Sequence, residues 1–177
     1  SLFFITGDLG FNALEPLEKQ LGKNFINAGV SEQNMLSISA AFAKEGLNTW
    51  CYSIAPFIYA RPFEQLRNDI SFHNLPVTLI GNGGGYGYGV MGPTHHAIED
   101  YGVMLTLPNV QAYIPAFSSD IPFIIDMCYD SKNPSYIRLG TNETEKDYKP
   151  PKFSQWRNII EGDGPVVIAI GSIAGSL

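Results

Sequence analysis

The chain has 177 residues, of which 45% are hydrophobic and only 16% are charged, and its formal net charge is −6. A chain of this length can form one domain with a sizeable core, and its negative charge argues against nucleic acids and anionic membranes as partners. The charged fraction is below the roughly 25% of ordinary soluble domains, which indicates that another chain or domain covers part of the surface.

The two cysteines, Cys51 and Cys128, stand in apolar stretches without the spacing of a disulfide framework or a metal site. We therefore expect reduced thiols in the core. No apolar run reaches about 18 residues, and the N-terminus has no signal-peptide pattern. The expectation is a cytoplasmic protein without a membrane segment.

Short β-rich runs alternate with helical patterns along the chain. Strands are predicted at 2–7, 24–29, 48–54, 76–82, 110–116, 134–140 and 165–171, and helices at about 11–21, 31–45, 57–72, 95–106 and 118–129. Near-continuous apolar strands separated by helices predict an α/β fold, with a doubly wound, mostly parallel sheet and helices on both faces. In such a sheet, the loops that leave the carboxyl ends of the strands build the functional site.

The polarity of the chain changes near its C-terminal end. Residues 1–140 are predicted to form the domain, and the polar, Pro-rich residues 141–164 to form a linker or a surface excursion. Residues 165–177, PVVIAIGSIAGSL, resemble the first strand of a further unit. We expect the sequence to be part of a longer polypeptide.

Glu32 is unusual because it stands at the mouth of a helix made of small and apolar residues, in NAGVSEQNMLSISAAFA (27–43). A helix start favours an acid, since its free N–H groups and dipole attract negative charge. Ser31 is a candidate N-cap, but Asn34 stands where a capping box needs Glu or Gln. From this stretch alone, Glu32 is either a capping acid or a functional carboxylate.

A glycine-rich loop occupies GNGGGYGYGVMGPTHHAIED (81–100). Glycine allows the backbone to approach a ligand closely or to adopt positive φ. The loop contains a formal G-x-G-x-x-G at Gly87, Gly89 and Gly92, which keeps nucleotide binding as an alternative, although no acid follows about 20 residues on. His95 and His96 are adjacent, so they point in different directions and lack the spacing of a chelating pair.

Four segments together resemble the pyrimidine-binding domain of the transketolase family over about residues 2–140. They are AGVSEQNM, CYSIAPFIYARPFEQLRNDI, GNGGGYGYGVMGPTHHAIEDYGVM and LPNVQAYIPA. Their order and strand–helix setting agree with that family, most closely with forms whose two functional domains can sit on separate chains. The ending resembles the entry to the family's third, C-terminal domain.

The resemblance implies a transketolase-type transferase that uses thiamine diphosphate. Glu32 occupies the place of the glutamate that bonds to the aminopyrimidine ring and activates the cofactor. Phe57, with Tyr59 as second choice, matches the aromatic residue that lies against this ring, although an aromatic there could equally pack in the core. His95 matches the histidine of a G-P-T-H turn that faces the substrate.

The departures from the family concern the substrate. Met91 replaces an acid that reads a sugar hydroxyl, glycines near Gly83 replace a phosphate-binding histidine, and Ile114 replaces an arginine. Arg138, in YIRLG, matches an arginine that the family uses for phosphate. The resemblance therefore implies a small sugar or keto substrate that differs from the usual pentose phosphates.

The family holds the cofactor's diphosphate and its Mg²⁺ on another domain, with oxygen ligands. We expect no metal ligand in this chain, and Asp8 is predicted to be a strand-end turn residue. The implied partner is a diphosphate-binding transketolase domain or subunit, in a homodimer or heterotetramer. The alternatives are a deoxyxylulose-phosphate synthase relative, the β-subunit-like half of a 2-oxo acid dehydrogenase, and a non-catalytic assembly partner.

Overall fold

A computed structural model of the chain describes residues 1–141 and 147–176. Its centre is a six-stranded, all-parallel sheet in the order β2-β1-β3-β4-β6-β5. The strands are β1 (Leu2–Thr6), β2 (Phe25–Asn27), β3 (Asn48–Ile54), β4 (Val77–Asn82), β5 (Gln111–Tyr113) and β6 (Ser135–Arg138). The predicted α/β class and parallel sheet are confirmed.

Helices connect the strands and lie on both sides of the sheet. They are α1 (Glu15–Leu21), α2 (Glu32–Lys44), α3 (Ala55–Tyr59), α4 (Phe63–Gln65), α5 (Asp100–Leu105) and α6 (Ile121–Asp130). A π-helical turn, Leu66–Ser71, continues α4, and 3₁₀ turns occupy Gly22–Asn24, Gly89–Met91, Ser118–Asp120 and Gly171–Ser176. Within the described ranges, no helix is both long and apolar enough to cross a bilayer.

Neighbouring residues of a strand belong to two separate cores, because successive side chains of a strand point to opposite faces of the sheet. Ile5, Cys51 and Tyr136 belong to one core, while Phe4 and Trp50 belong to the other. Helix α2 supplies Met35 and Leu36 to the first core, and α6 supplies Ile124 and Cys128 to the second. Both faces are therefore covered, which explains why the strands read as continuous apolar runs.

Three predicted elements differ from the structure. Residues 165–170 form no strand and are exposed, with Val166 at 91% and Val167 at 73%, so that prediction is wrong; a strand needs a hydrogen-bonded neighbour as well as an apolar run. Helix α5 begins at Asp100 rather than 95, because Ala97 pairs with Gly85 in an isolated bridge. The predicted helix 57–72 is interrupted at residues 60–62, where Pro62 lacks an N–H.

The C-terminal part packs on the domain although it has little regular structure. Arg157 bonds to Asp120 at 2.6 Å, with side-chain exposures of 11% and 4%, and Phe153 stacks on Phe123 with ring centroids 5.4 Å apart. Ala174, in the last 3₁₀ turn, is 2% exposed. Residues 142–146 of the predicted linker lie outside the described residues. The division into three segments stays a prediction.

Candidate active site

The strand order brings Glu32 and Phe57 to the same end of the sheet. From β1 the chain runs to β2 on one side, and α2 then carries it back across to β3 on the other side. Carboxyl ends of strands at such a reversal form a crevice in doubly wound sheets. Glu32 begins α2 beside the end of β1, and Phe57 lies in α3, directly after β3.

Glu32 is buried, with 2% of its surface exposed. It is the first residue of α2, and Ser31 takes the N-cap position without a side-chain capping bond, since its hydroxyl donates to the Ala28 carbonyl oxygen at 2.7 Å. A Cβ added to Gly7, after β1, would lie 3.5 Å from the Glu32 Cγ, in ordinary contact. Small residues around the helix start therefore enclose this carboxylate.

The Glu32 carboxylate is paired with Arg61, to which the sequence analysis assigned no role. Arg61 donates from a guanidinium nitrogen (NH1) to Glu32 Oε1 at 2.7 Å, and 42% of the Arg61 side chain is exposed. The guanidinium carbon also lies 4.0 Å from the centroid of the Phe57 ring. In the sequence, only the position of Arg61 just before Pro62 set it apart. Its pairing with Glu32 joins positions 29 residues apart, so no local pattern predicts it.

An open pocket of about 340 Å³ adjoins this pair. Glu32 and Arg61 contribute to its wall, and the rest of the lining is Val30, Ser31, Gln33 and Asn34. Glu32 is thus buried, yet it forms part of the wall of an open pocket. A buried charge with access to a polar pocket is a common feature of functional sites.

The two aromatic candidates occupy different environments. Phe57 is half-buried and contacts His95, with ring centroids 5.1 Å apart at 70°. Tyr59 is 1% exposed within the core, and its hydroxyl makes no hydrogen bond of good geometry in the described part of the chain. Burial, with a smaller effect of the nearby Glu99 carboxylate, raises the pKa of Tyr59. Phe57, unlike the buried Tyr59, contacts Arg61, which lines the pocket.

His95 and His96 face different neighbours, as their adjacency predicts. His95 is half-buried between Phe57 and Tyr88, and its Nδ1 lies 2.9 Å from the Thr94 hydroxyl. His96 points back into the glycine loop, with Nε2 at 3.0 Å from the Gly89 carbonyl oxygen. His95 is therefore the histidine that the fold brings next to Phe57, whose ring Arg61 also contacts.

Arg138 lies beneath the glycine loop rather than in the pocket beside Glu32. It donates to Asp100 Oδ1 at 3.3 Å, and the two side chains are 16% and 0% exposed. Tyr136 donates to the other oxygen of Asp100 at 2.7 Å. A Cβ added to Gly84 would lie 1.8 Å from Arg138 Nε, so glycine is required where the loop crosses the arginine.

The Asp100 network was not foreseen from the sequence, because it joins α5 to β6 across 38 residues. Burial, and next the Asp100 carboxylate, raises the pKa of Tyr136 well above its usual value. Met91 is 55% exposed at the far end of the loop. The contacts among Asp100, Tyr136 and Arg138 anchor the loop that carries His95. The use of Arg138 for binding phosphate stays a prediction.

Comparisons with known proteins show which family this fold belongs to. The family described as the transketolase pyrimidine-binding domain matches residues 3–146. The chain belongs to this family. It is 28% identical over 166 residues to one subunit of an apulose-4-phosphate transketolase of Phocaeicola vulgatus, covering 92% of this chain and 53% of that protein.

Two further relatives show the range of the family. A 1-deoxy-D-xylulose-5-phosphate synthase of Prochlorococcus marinus is 28% identical over 90% of this chain, which covers 26% of that enzyme. A solved structure called a split gene transketolase, inactive β4 tetramer, aligns with TM-score 0.73 and 28% identity, over 86% of this chain and 49% of that one. The chain thus spans about half the length, or less, of these relatives.

Proposed function

We propose that this transketolase-family chain supplies the pyrimidine half of a thiamine diphosphate site and takes part in transketolase-type transfer of a two-carbon ketol unit. The carrying observation is the buried Glu32 carboxylate at the mouth of α2, which lines a pocket together with its partner Arg61, whose guanidinium lies over the Phe57 ring. When bound, the cofactor supplies a nucleophilic thiazolium carbon and an electron sink for carbon–carbon bond cleavage.

The residues present suit an aminopyrimidine ring. Glu32 offers a carboxylate that can hydrogen-bond to a ring nitrogen and share its proton. Phe57 offers an aromatic surface against which a planar heterocycle packs. Burial excludes water from the carboxylate, which strengthens its hydrogen bonds. His95, in contact with Phe57, is in a position to face a substrate beside the ring.

A partner completes the proposed site. The apulose-4-phosphate transketolase relative, which is one subunit of its enzyme, and the split transketolase structure indicate that such halves occur as separate chains in this family. We propose that a diphosphate-binding domain or subunit holds the diphosphate and Mg²⁺ against this chain. The isolated chain is then expected to bind thiamine diphosphate weakly, and a tight stoichiometric complex in calorimetry would contradict this division of the site.

Replacing Glu32 by Gln tests the catalytic role. In a complex reconstituted with the diphosphate-binding partner, Glu32→Gln should lower kcat by at least about 100-fold, the usual scale for loss of a proton-transfer group. Assembly, followed by sedimentation, should persist. Glu45→Gln is the matched control, since Glu45 lies exposed at the other end of the same helix. Unchanged turnover in Glu32→Gln would show that Glu32 takes no part in the reaction.

The substrate pair differs from the usual pentose phosphates in this proposal, because Met91 replaces a hydroxyl-reading acid. Rates with xylulose 5-phosphate and ribose 5-phosphate should therefore be low, and rapid turnover of both would contradict it. The similarity to 1-deoxy-D-xylulose-5-phosphate synthase supports a second candidate activity. Formation of 1-deoxy-D-xylulose 5-phosphate by the complex would select that alternative.

A further inference from the structure

Arg61 has a position that the proposed function does not explain. It lies in the break between α3 and α4, where its backbone N–H still donates to the Pro56 carbonyl oxygen at 3.2 Å. The following Pro62 disfavours a helical conformation at Arg61. The break therefore fixes the backbone of Arg61 at the rim of the pocket and leaves a long side chain to reach inward.

The Arg61 guanidinium makes two contacts that matter for the site. It pairs with Glu32 Oε1 at 2.7 Å, and it covers the Phe57 ring at 4.0 Å from the centroid. These are the carboxylate and the aromatic surface that the proposed function assigns to the pyrimidine ring. One planar, cationic group of this chain thus makes the contacts that the cofactor ring is expected to make.

Arg61 and a cofactor ring that used Glu32 Oε1 and the Phe57 ring would compete for the same contacts. A buried carboxylate without a partner is strongly destabilising, so Arg61 satisfies Glu32 while the pocket holds no ring. A guanidinium has only hydrogen-bond donors, so it can pair with the Glu32 carboxylate but cannot accept a proton from it. A heterocyclic ring that packed on the same face of Phe57 and bonded to Glu32 Oε1 would need the space that the Arg61 guanidinium occupies.

The side chain also has room to leave. It is 42% exposed, whereas Glu32 is 2% exposed, and the pocket of about 340 Å³ opens beside both residues. A partly hydrated guanidinium gives up fewer protein contacts when it moves into water than a fully buried one does. Arg61 can therefore rotate outward while Glu32, held at the first turn of α2, stays in place.

We propose that Arg61 is an internal ligand that occupies the pyrimidine position and is displaced when the cofactor ring binds. The inference rests on the proposed function and adds a competing group to the same site. It keeps Glu32 and Phe57 arranged and protected from water before the ring arrives. It also lowers the apparent affinity, because only molecules with Arg61 displaced are competent to bind.

Cofactor affinity measured by calorimetry tests this in the reconstituted complex with thiamine diphosphate and Mg²⁺. Arg61→Met keeps most of the apolar length but removes the cation, so Kd should fall roughly tenfold. Arg67→Met is the matched control, because Arg67 is exposed on the following turn and makes no ion pair within the described part of the chain. Its Kd should equal that of the unmodified complex.

A second measurement follows the Arg61 side chain directly in the unmodified complex. In the complex labelled with ¹⁵N-arginine, the Arg61 side-chain resonance should be protected from exchange without cofactor and become exchange-averaged at saturation. Assignment uses the resonance missing from Arg61→Lys. Protection that persists at saturation would refute displacement, even if Arg61→Met failed to fold.

The two proposals fail in different ways. Weaker or unchanged binding in Arg61→Met would overturn the internal-ligand proposal, since a group that assists the bound ring is not its competitor. That result leaves the role of Glu32 intact if Glu32→Gln still abolishes turnover. An unmodified complex that binds no thiamine diphosphate would overturn the proposed function itself.

Discussion

The buried network of Asp100, Tyr136 and Arg138 allows a quantitative test of how the glycine loop is held. Replacing Asp100 by Asn keeps the size of the side chain and removes its charge. Asp100 and Tyr136 are both 0% exposed, and the Arg138 side chain is 16% exposed. Asparagine cannot satisfy both donors in the same geometry, because only one of its two terminal atoms accepts a hydrogen bond.

The expected loss of stability follows from these contacts. Breaking a buried ion pair from one side typically costs about 3–5 kcal/mol. The partial exposure of Arg138 and its long 3.3 Å contact with Asp100 favour the lower end of that range. We expect Asp100→Asn to lower the free energy of unfolding by about 3 kcal/mol, which corresponds to a fall of about 6–12 °C in Tm.

Urea unfolding followed by circular dichroism measures this difference at constant m-value. Tyr136→Phe removes only the hydroxyl and should cost about 1.5 kcal/mol, since Asp100 keeps its arginine. Asp126→Asn is the control, because Asp126 is exposed on α6, and it should change little. If Asp100→Asn lowers the free energy of unfolding by less than about 1 kcal/mol, the charge of Asp100 does not stabilise this network.

Two further predictions concern the glycine loop and the buried thiols. In thermal unfolding, Gly84→Ala should destabilise the fold by about 1–3 kcal/mol, because the added Cβ displaces Arg138. Gly102→Ala is the control and should be neutral or stabilising, since nothing lies within 4 Å of its added Cβ. Equal effects of the two substitutions would refute the close approach at Gly84. Burial raises the pKa of Cys51 from 9.0 to about 12, and that of Cys128 to about 11. Since the unfolded chain releases thiol protons first, stability should fall above pH 9, by up to about 1.4 kcal/mol per pH unit for each thiol; an unchanged pH profile in Cys51→Ala would contradict this for Cys51.

Periodicity and local chemistry determined much of the fold from the sequence. Apolar runs separated by helices predicted six strands that the structure contains, because a strand buried on both faces must be apolar along its length. The motif order identified the family, and NAGVSEQNM drew attention to Glu32. The placement of Glu32 at the start of a helix, after a predicted strand, followed from the strand–helix alternation alone.

Only the tertiary structure decided which residues meet. Arg61 reaches Glu32 because β1 and β3 are neighbours, and Arg138 reaches Asp100 because β6 lies beside β4. Strand order is set by packing between segments far apart in the chain, so no local pattern reveals these pairs. The same reason explains the error at residues 165–170: an apolar run has the propensity for a strand, but a strand forms only beside a partner that supplies its hydrogen bonds.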